Sequence, residues 1–224
     1  MTFSLVARDP GSGAFGMVVS SSSPAVAARC VHLRAGVGGA GSQNITDPRL
    51  GHWLLDLQAA GLGAADALAK VVRDTRHIEY RQLTVVDAAG RVAGYSGRRT
   101  LGTHALVRGD AAVAAGNLLA NDGVPAAVLA GYTSSTAGEF EERLLAGLRA
   151  GLAAGGEAGP VHSAGLVVVT DQPWPATDLR VDWSDDPIDD LEALWRVWAP
   201  QRDDYVRRAL DPAAAPSYGV PGDR

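Results

Sequence analysis

Cysteine is almost absent from this 224-residue chain: Cys30 stands alone, which excludes an internal disulfide and any thiolate-rich metal site. Lysine is equally scarce, with Lys70 its single representative among cations that are otherwise arginines. A mechanism that needs a neutral lysine base must use Lys70 or do without one. No stretch of eighteen apolar residues occurs, and the first residues lack the basic flank and apolar core of a signal peptide, so the expectation is a cytoplasmic protein without a membrane segment. A net charge of −5 without a long basic run gives no electrostatic case for nucleic acid. Glycines never form a phosphate loop ending in Lys-Ser/Thr, no G-x-S-x-G elbow is present, and the histidines show no ligand spacing beyond His52 and Asp56 on one helical face. The expectation is therefore no metal, no cofactor, and a small molecule or protein as partner.

What is present is alternation. Phe3, Leu5 and Ala7 alternate with Ser4, Val6 and Arg8, the run Asp9-Pro10-Gly11-Ser12-Gly13 supplies turn chemistry, and Ala14 to Ser20 is apolar again, predicting an N-terminal hairpin. Further strands are expected at Val31–Leu33, Val37–Ser42, Gln82–Asp87, Arg91–Ser96, His104–Val107, Ala111–Ala115, Leu166–Thr170 and Thr177–Trp183. Asp47-Pro48 reads as an N-cap and first turn, followed by Leu50, Trp53, Leu54 and Leu57 at helical spacing. Other helices are predicted to about Asp74, at Pro125–Tyr132 and Glu139–Ala154, and over Asp189–Leu210 with a kink or split at Pro200.

Runs of strands thus alternate with pairs of helices, which argues for an α+β domain, and a four-layer αββα sandwich satisfies the order. The expectation is a single domain over residues 1–211 and a Pro/Ala/Gly-rich, poorly ordered tail over 212–224.

Several segments carry a family likeness: MTFSLVARDPGSGAFG at the start, Pro24-Ala25-Val26, RAGVGGAGSQ from Arg34, DPRLG from Asp47, QLTVVDAAGRVAGYSG from Gln82, AGNLLA from Ala115 and DLRVD from Asp178. In order and spacing they resemble the bacterial family called domain of unknown function 1028 (DUF1028), over Thr2 to about Trp198. The resemblance implies an N-terminal-nucleophile (Ntn) hydrolase-like fold, in which an N-terminal Thr, Ser or Cys cleaves amide bonds with its own α-amine as base. One departure stands out. Where family members carry a stretch of the form Gly-Gly-Asp-x-Arg-Gly-x-Gln-Ser-Ala, this chain has Gly155-Gly156-Glu157-Ala158-Gly159-Pro160-Val161-His162-Ser163-Ala164, without the arginine and glutamine.

Thr2 is the sharpest candidate. Once Met1 is removed it carries both a hydroxyl and a free α-amine, whose reference pKa of ~7.7–8.0 leaves a usable neutral fraction. The competing reading is a β-branched strand residue with Met1 retained. Asn117, at a strand end and matched to the family, is the candidate oxyanion donor, or else a turn cap. Gln43 on the glycine-rich strand, Ser20 near the hairpin's far end, Arg34, and Arg180 with its planar fork are candidates for substrate binding. Arg180 alternates with Asp178 and Asp182 on one strand face, where those aspartates are its alternative partners. His162 and Ser163 are a competing Ser–His pair, though neighbours on a strand point to opposite faces. The resulting reading is an Ntn-type hydrolase cleaving an amide C–N bond in a small molecule, with a homodimer the simplest assembly. The alternative is a catalytically silent ligand-binding or oligomeric scaffold of the same fold.

Overall fold

The alternation in the first residues has a direct structural consequence in the computed structural model, which describes residues 1–222. Strand β1 (Thr2–Arg8) turns back on β2 (Phe15–Ser21), and Asp9 closes the turn by accepting the Ser12 amide and hydroxyl at 2.9 and 2.6 Å. Phe3, Leu5 and Ala7 point one way into a core with Val128, Leu144 and Leu148, while Val6 points the other way, among Phe15, Met17, Val19 and Val86. Period-2 geometry carries Thr2 and Ser4 to the same side as Val6.

β1 is central in a six-stranded antiparallel sheet. In chain order the remaining strands are β3 (Val31–Arg34), β4 (Gly38–Asn44), β5 (Arg81–Asp87), β6 (Val92–Ser96), β7 (Ala105–Arg108), β8 (Ala112–Asn117), β9 (Ser163–Val169) and β10 (Thr177–Val181). The larger sheet runs β10-β9-β2-β1-β8-β7 and the smaller β3-β4-β5-β6. Gly39 in β4 permits their close approach: a Cβ there would lie 2.7 Å from the Val6 side chain.

Helices cover the outer faces. After the short α1 (Ala27–Cys30), α2 (Pro48–Ala59) and α3 (Ala64–Asp74) pack Leu50, Leu54, Ala67 and Val71 on Leu83 and Val85 of the smaller sheet. Asp47 caps α2 by accepting the Arg49 amide, with Pro48 in the first turn. On the larger sheet, α4 (Val124–Ser134) and α5 (Phe140–Ala153) bring Val128, Leu144 and Leu148, and α6 (Pro187–Trp198) brings Leu191 and Trp195. Each such fully buried Leu contributes ~1.5–3 kcal/mol. The result is the four-layer αββα sandwich expected, with three apolar layers between four layers of structure.

Boundaries differ in instructive places. The last predicted helix is split around Pro200 into α6 and α7 (Arg202–Leu210), and β8 runs on to include Gly116 and Asn117. The four-residue α1 is too short to leave a periodic signal. Beyond α7, Tyr218 packs edge-on against Tyr205 with the Arg208 guanidinium 4.0 Å from its ring centre. The part of the tail expectation that falls on residues 223–224 lies outside the described residues. Among the described residues no helix is long and apolar enough to cross a membrane.

Candidate active site at the head of the first strand

Thr2 begins β1 between β2 and β8. Its cross-strand partner on β8 is Asn117, and the register Phe3 to Ser20 places Ser21 beside it on β2. Thr2 is 5% exposed. Its hydroxyl donates to the Met1 carbonyl oxygen, and the Ser21 hydroxyl donates to the same oxygen at 2.6 Å. Two hydroxyls from adjacent strands thus converge on the carbonyl of the peptide bond that contains the Thr2 nitrogen.

Beneath this pair lies a chain of uncharged polar groups between the sheets. Ser4 donates to Gln43 Oε1 at 2.7 Å, Gln43 Nε2 to Gln82 Oε1 at 2.8 Å, and Asn117 Nδ2 to that same Oε1 at 3.1 Å. Gln82 Nε2 in turn donates to Ser96 Oγ at 2.9 Å and to the Gly116 carbonyl at 3.0 Å. Ser4, Gln43, Gln82 and Asn117 are all essentially inaccessible to water. Gln82 Oε1 thereby fills both lone pairs, which fixes the amides on both sides of it. Asn117 Oδ1 is buried without a partner, so this residue shows an open acceptor toward its surroundings, while its N–H is committed to Gln82.

A carboxyl completes the group. The segment after α5 runs beside the extension of β8: Ala120 donates to the Gly156 carbonyl, Ala158 to the Leu118 carbonyl, and Glu157 bridges Leu119. On its other side, the Ser22 amide, one residue past β2, donates to both Glu157 carboxyl oxygens at 3.1 Å. Glu157 therefore spans from the continuation of β8 to the continuation of β2, across the head of β1. It is 4% exposed. Burial pushes its carboxyl up to about 7, against the opposing pull of the Ser22 hydrogen bonds, the N-terminal ammonium and His162.

The candidates divide on this geometry. Thr2, Asn117 and Gln43 come together. Ser20 alternates away from Ser21 to the helix-facing side and donates to the Ser163 carbonyl at 3.0 Å. Arg34 and Arg180 meet elsewhere, lining a cavity of about 190 Å³ between β3 and the β9–β10 edge, where Arg34 pairs with Asp56 at 2.8 Å and Arg180 with Asp178 at 2.7 Å. Ser163 donates to the Ser23 carbonyl at 2.6 Å, while the His162 ring stacks on Trp183 with centres 4.5 Å apart, so the two do not form a catalytic pair. Lys70 is on the surface of α3, bonded to Asp74 at 3.0 Å. A roomier cavity of about 650 Å³, lined by Asp47, Leu50, Trp53, Thr75, His77 and Arg81, lies on the outer side of the smaller sheet and holds neither Thr2 nor any member of the amide chain. Gln82 and Glu157 were passed over in the sequence, and Ser21 stood there only as one of four hydroxyls at the hairpin's far end, Ser20 to Ser23, read mostly as partners of loop backbone. The acidic residue had a signal, since Glu157 stands where the family pattern has its aspartate.

The chain belongs to the family of unknown function DUF1028, whose profile matches residues 2–191. It is similar to protein SPO2555 from Silicibacter pomeroyi, itself assigned to DUF1028, with 29% identity and a TM-score of 0.86 over 92% of this chain and 90% of that one. It also aligns with the Anbu (Gly-1) mutant from Hyphomicrobium sp. strain MC1, at 12% identity, TM-score 0.44, and 98% and 100% coverage. A third structure, Anbu (ancestral beta-subunit) from Yersinia bercovieri, aligns at 10% identity, TM-score 0.40, and 88% and 97% coverage. No curated protein matches the chain.

Proposed function

We propose that this protein is an Ntn-type hydrolase that cleaves the C–N bond of a small amide, with Thr2 as nucleophile once Met1 has been removed. The observation that carries the reading is the convergence of the Thr2 and Ser21 hydroxyls on one amide carbonyl oxygen, that of Met1. That carbonyl stands in for the acyl group of a substrate.

The chemistry follows from the positions. With Met1 gone, the neutral α-amine of Thr2 takes the proton of Oγ1 as that oxygen attacks the substrate carbonyl carbon. Negative charge collects on the carbonyl oxygen, where the Ser21 hydroxyl donates; this gives Ser21 the oxyanion role the sequence suggested for Asn117. The ammonium then protonates the departing nitrogen, the C–N bond breaks, and an ester on Thr2 remains. Water, deprotonated by the same amine, hydrolyses that ester and restores Oγ1–H. Asn117 borders the reacting groups through Oδ1, and Gln43 and Gln82 hold it rigid in a water-free layer. The single lysine is remote, on the outward face of α3, and the α-amine serves as the base.

The test is a panel of small amides against Thr2→Ala and Thr2→Ser. Thr2→Ala should lower turnover at least ~10³-fold with an unchanged circular dichroism melt, and Thr2→Ser should keep measurable activity. Full activity in Thr2→Ala would remove Thr2 from the mechanism. Ligand binding without turnover in the wild type would support the silent scaffold instead.

A further inference from the structure

Glu157 is an expensive way to satisfy one serine. Its two oxygens share the Ser22 N–H and the Ser22 hydroxyl also bonds to it, donors that a glutamine carbonyl accepts as well, and no arginine or lysine is paired with it among the described residues. Ionising a carboxyl this deeply buried costs several kcal/mol unless a cation or strong donors face it. The cation available is the chain's own N-terminus. β1 lies between β2 and β8, and Glu157 links the residues just past the ends of both, so it occupies the line along which β1 would continue. With Met1 in place, the Met1 ammonium already acts on it across this gap. With Met1 removed, the new ammonium sits on Thr2, at the point where the strand begins.

We propose that Glu157 receives the α-ammonium of Thr2, anchoring the amine at the head of β1 and taking the proton that the amine must lose before it acts as a base. This positioning role rests on the hydrolase reading above. The transfer is balanced within the pair: the N–H proton passes to a carboxylate oxygen, leaving a neutral amine and a neutral carboxylic acid. The nitrogen lone pair is then free for the Oγ1 proton. A carboxyl raised to about 7 suits such an exchange, because it holds a proton more tightly than an ordinary carboxylate does.

Few other titratable groups face this carboxyl. His162, preceding β9, also acts on it, its ring held against Trp183 with Nδ1 3.7 Å from exposed Asp185. Cys30 of α1 feels the N-terminal charge too, but burial pushes its thiol up and keeps it neutral. Ser22 contributes its amide and hydroxyl and no charge. The amine is thus the partner whose own charge changes in the reaction.

Competitive acetylation tests the assignment without a substrate. Wild type, Glu157→Gln and Glu157→Asp, each checked by intact mass for loss of Met1, are labelled with limiting acetic anhydride from pH 5 to 10. The single lysine, Lys70, serves as internal reference. Glu157→Gln should lower the pH midpoint of Thr2 amine labelling by about one unit or more, making the amine about tenfold more reactive relative to Lys70 at pH 7; Glu157→Asp should stay near wild type. Identical midpoints in wild type and Glu157→Gln would overturn the role of Glu157 while leaving Thr2 as nucleophile. Retention of Met1 throughout would overturn the hydrolase reading and this role with it. Should Glu157→Gln fail to fold, carboxyl-carbon NMR of the wild type decides: a glutamate titrating near pH 7 and again as the amine deprotonates supports the pair, and a single titration in the ordinary carboxylate range contradicts it.

Discussion

Two regions bordering the layer between the sheets hold their polar residues in opposite ways. At the head of β1, Thr2, Ser21, Asn117, Gln43 and Gln82 are uncharged, buried and joined by hydrogen bonds from sheet to sheet. At the β3 and β9–β10 edge, Arg34 and Arg180 are charged, with side chains 41% and 39% exposed, and each is neutralised by a nearby aspartate. Catalysis of acyl transfer needs dipoles that are already oriented and dry; ion pairs in water supply neither. Both places carry side chains of the right chemical type, and only the first holds them in the right medium.

The largest effect that would sharpen this contrast is on activity. Thr2→Ala should remove at least ~10³-fold of turnover, whereas Arg180→Ala and Arg34→Ala should change it by less than about twofold. Comparable losses in all three would merge the two regions into one site. On stability, the next largest effect is expected at Gln82: Gln82→Ala strands the amide N–H groups of Gln43 and Asn117 and the Gly116 carbonyl, and urea unfolding should show a loss of ~2–4 kcal/mol.

Proton linkage separates the regions further. Burial raises the Glu157 carboxyl from 4.5 to about 7, so the stability it confers is full below pH 4.5 and is lost as pH rises toward 7. His32, beside the charged groove, runs the other way: burial, helped by the nearby His52, lowers it from 6.5 to about 4, so its contribution is present above pH 6.5 and is lost as pH falls toward 4. The two slopes oppose one another between pH 4.5 and 6.5, each on the order of 1–3 kcal/mol. Glu157→Gln should therefore turn a nearly flat profile into one that rises from pH 4 to 6.5, as measured by urea unfolding at several pH values. The smallest effect belongs to the exposed ion pairs, where Arg180→Ala should cost no more than ~1 kcal/mol and less at high salt.

How much of this was legible in the sequence depends on whether the information is local. Alternation in Phe3 to Arg8 and helical spacing in Leu50 to Leu57 identify elements that bury one face, and their order points to the sandwich. Asn117 and Gln43 were visible as polar residues at the ends of such strands. Ser20 and Ser21 show the limit: neighbours of the same type, they face opposite sides, and only the pairing with β1 and β9 decides which one reaches Met1. Gln82 reads as an ordinary first residue of a strand, because its partners come from four other strands. Glu157 is separated by more than a hundred residues from the strand end it covers, so no local pattern could join them. Arg180 shows the converse: period 2 places it on one face with Asp178, its partner in the structure, but says nothing of its exposure.

The central claim is that Thr2 works from a free N-terminus, and intact mass of the untagged protein, expressed from its native start, tests it most directly. The account expects the mass of the chain without Met1. A population that retains Met1 completely would leave the Thr2 nitrogen locked in a peptide bond and would contradict it.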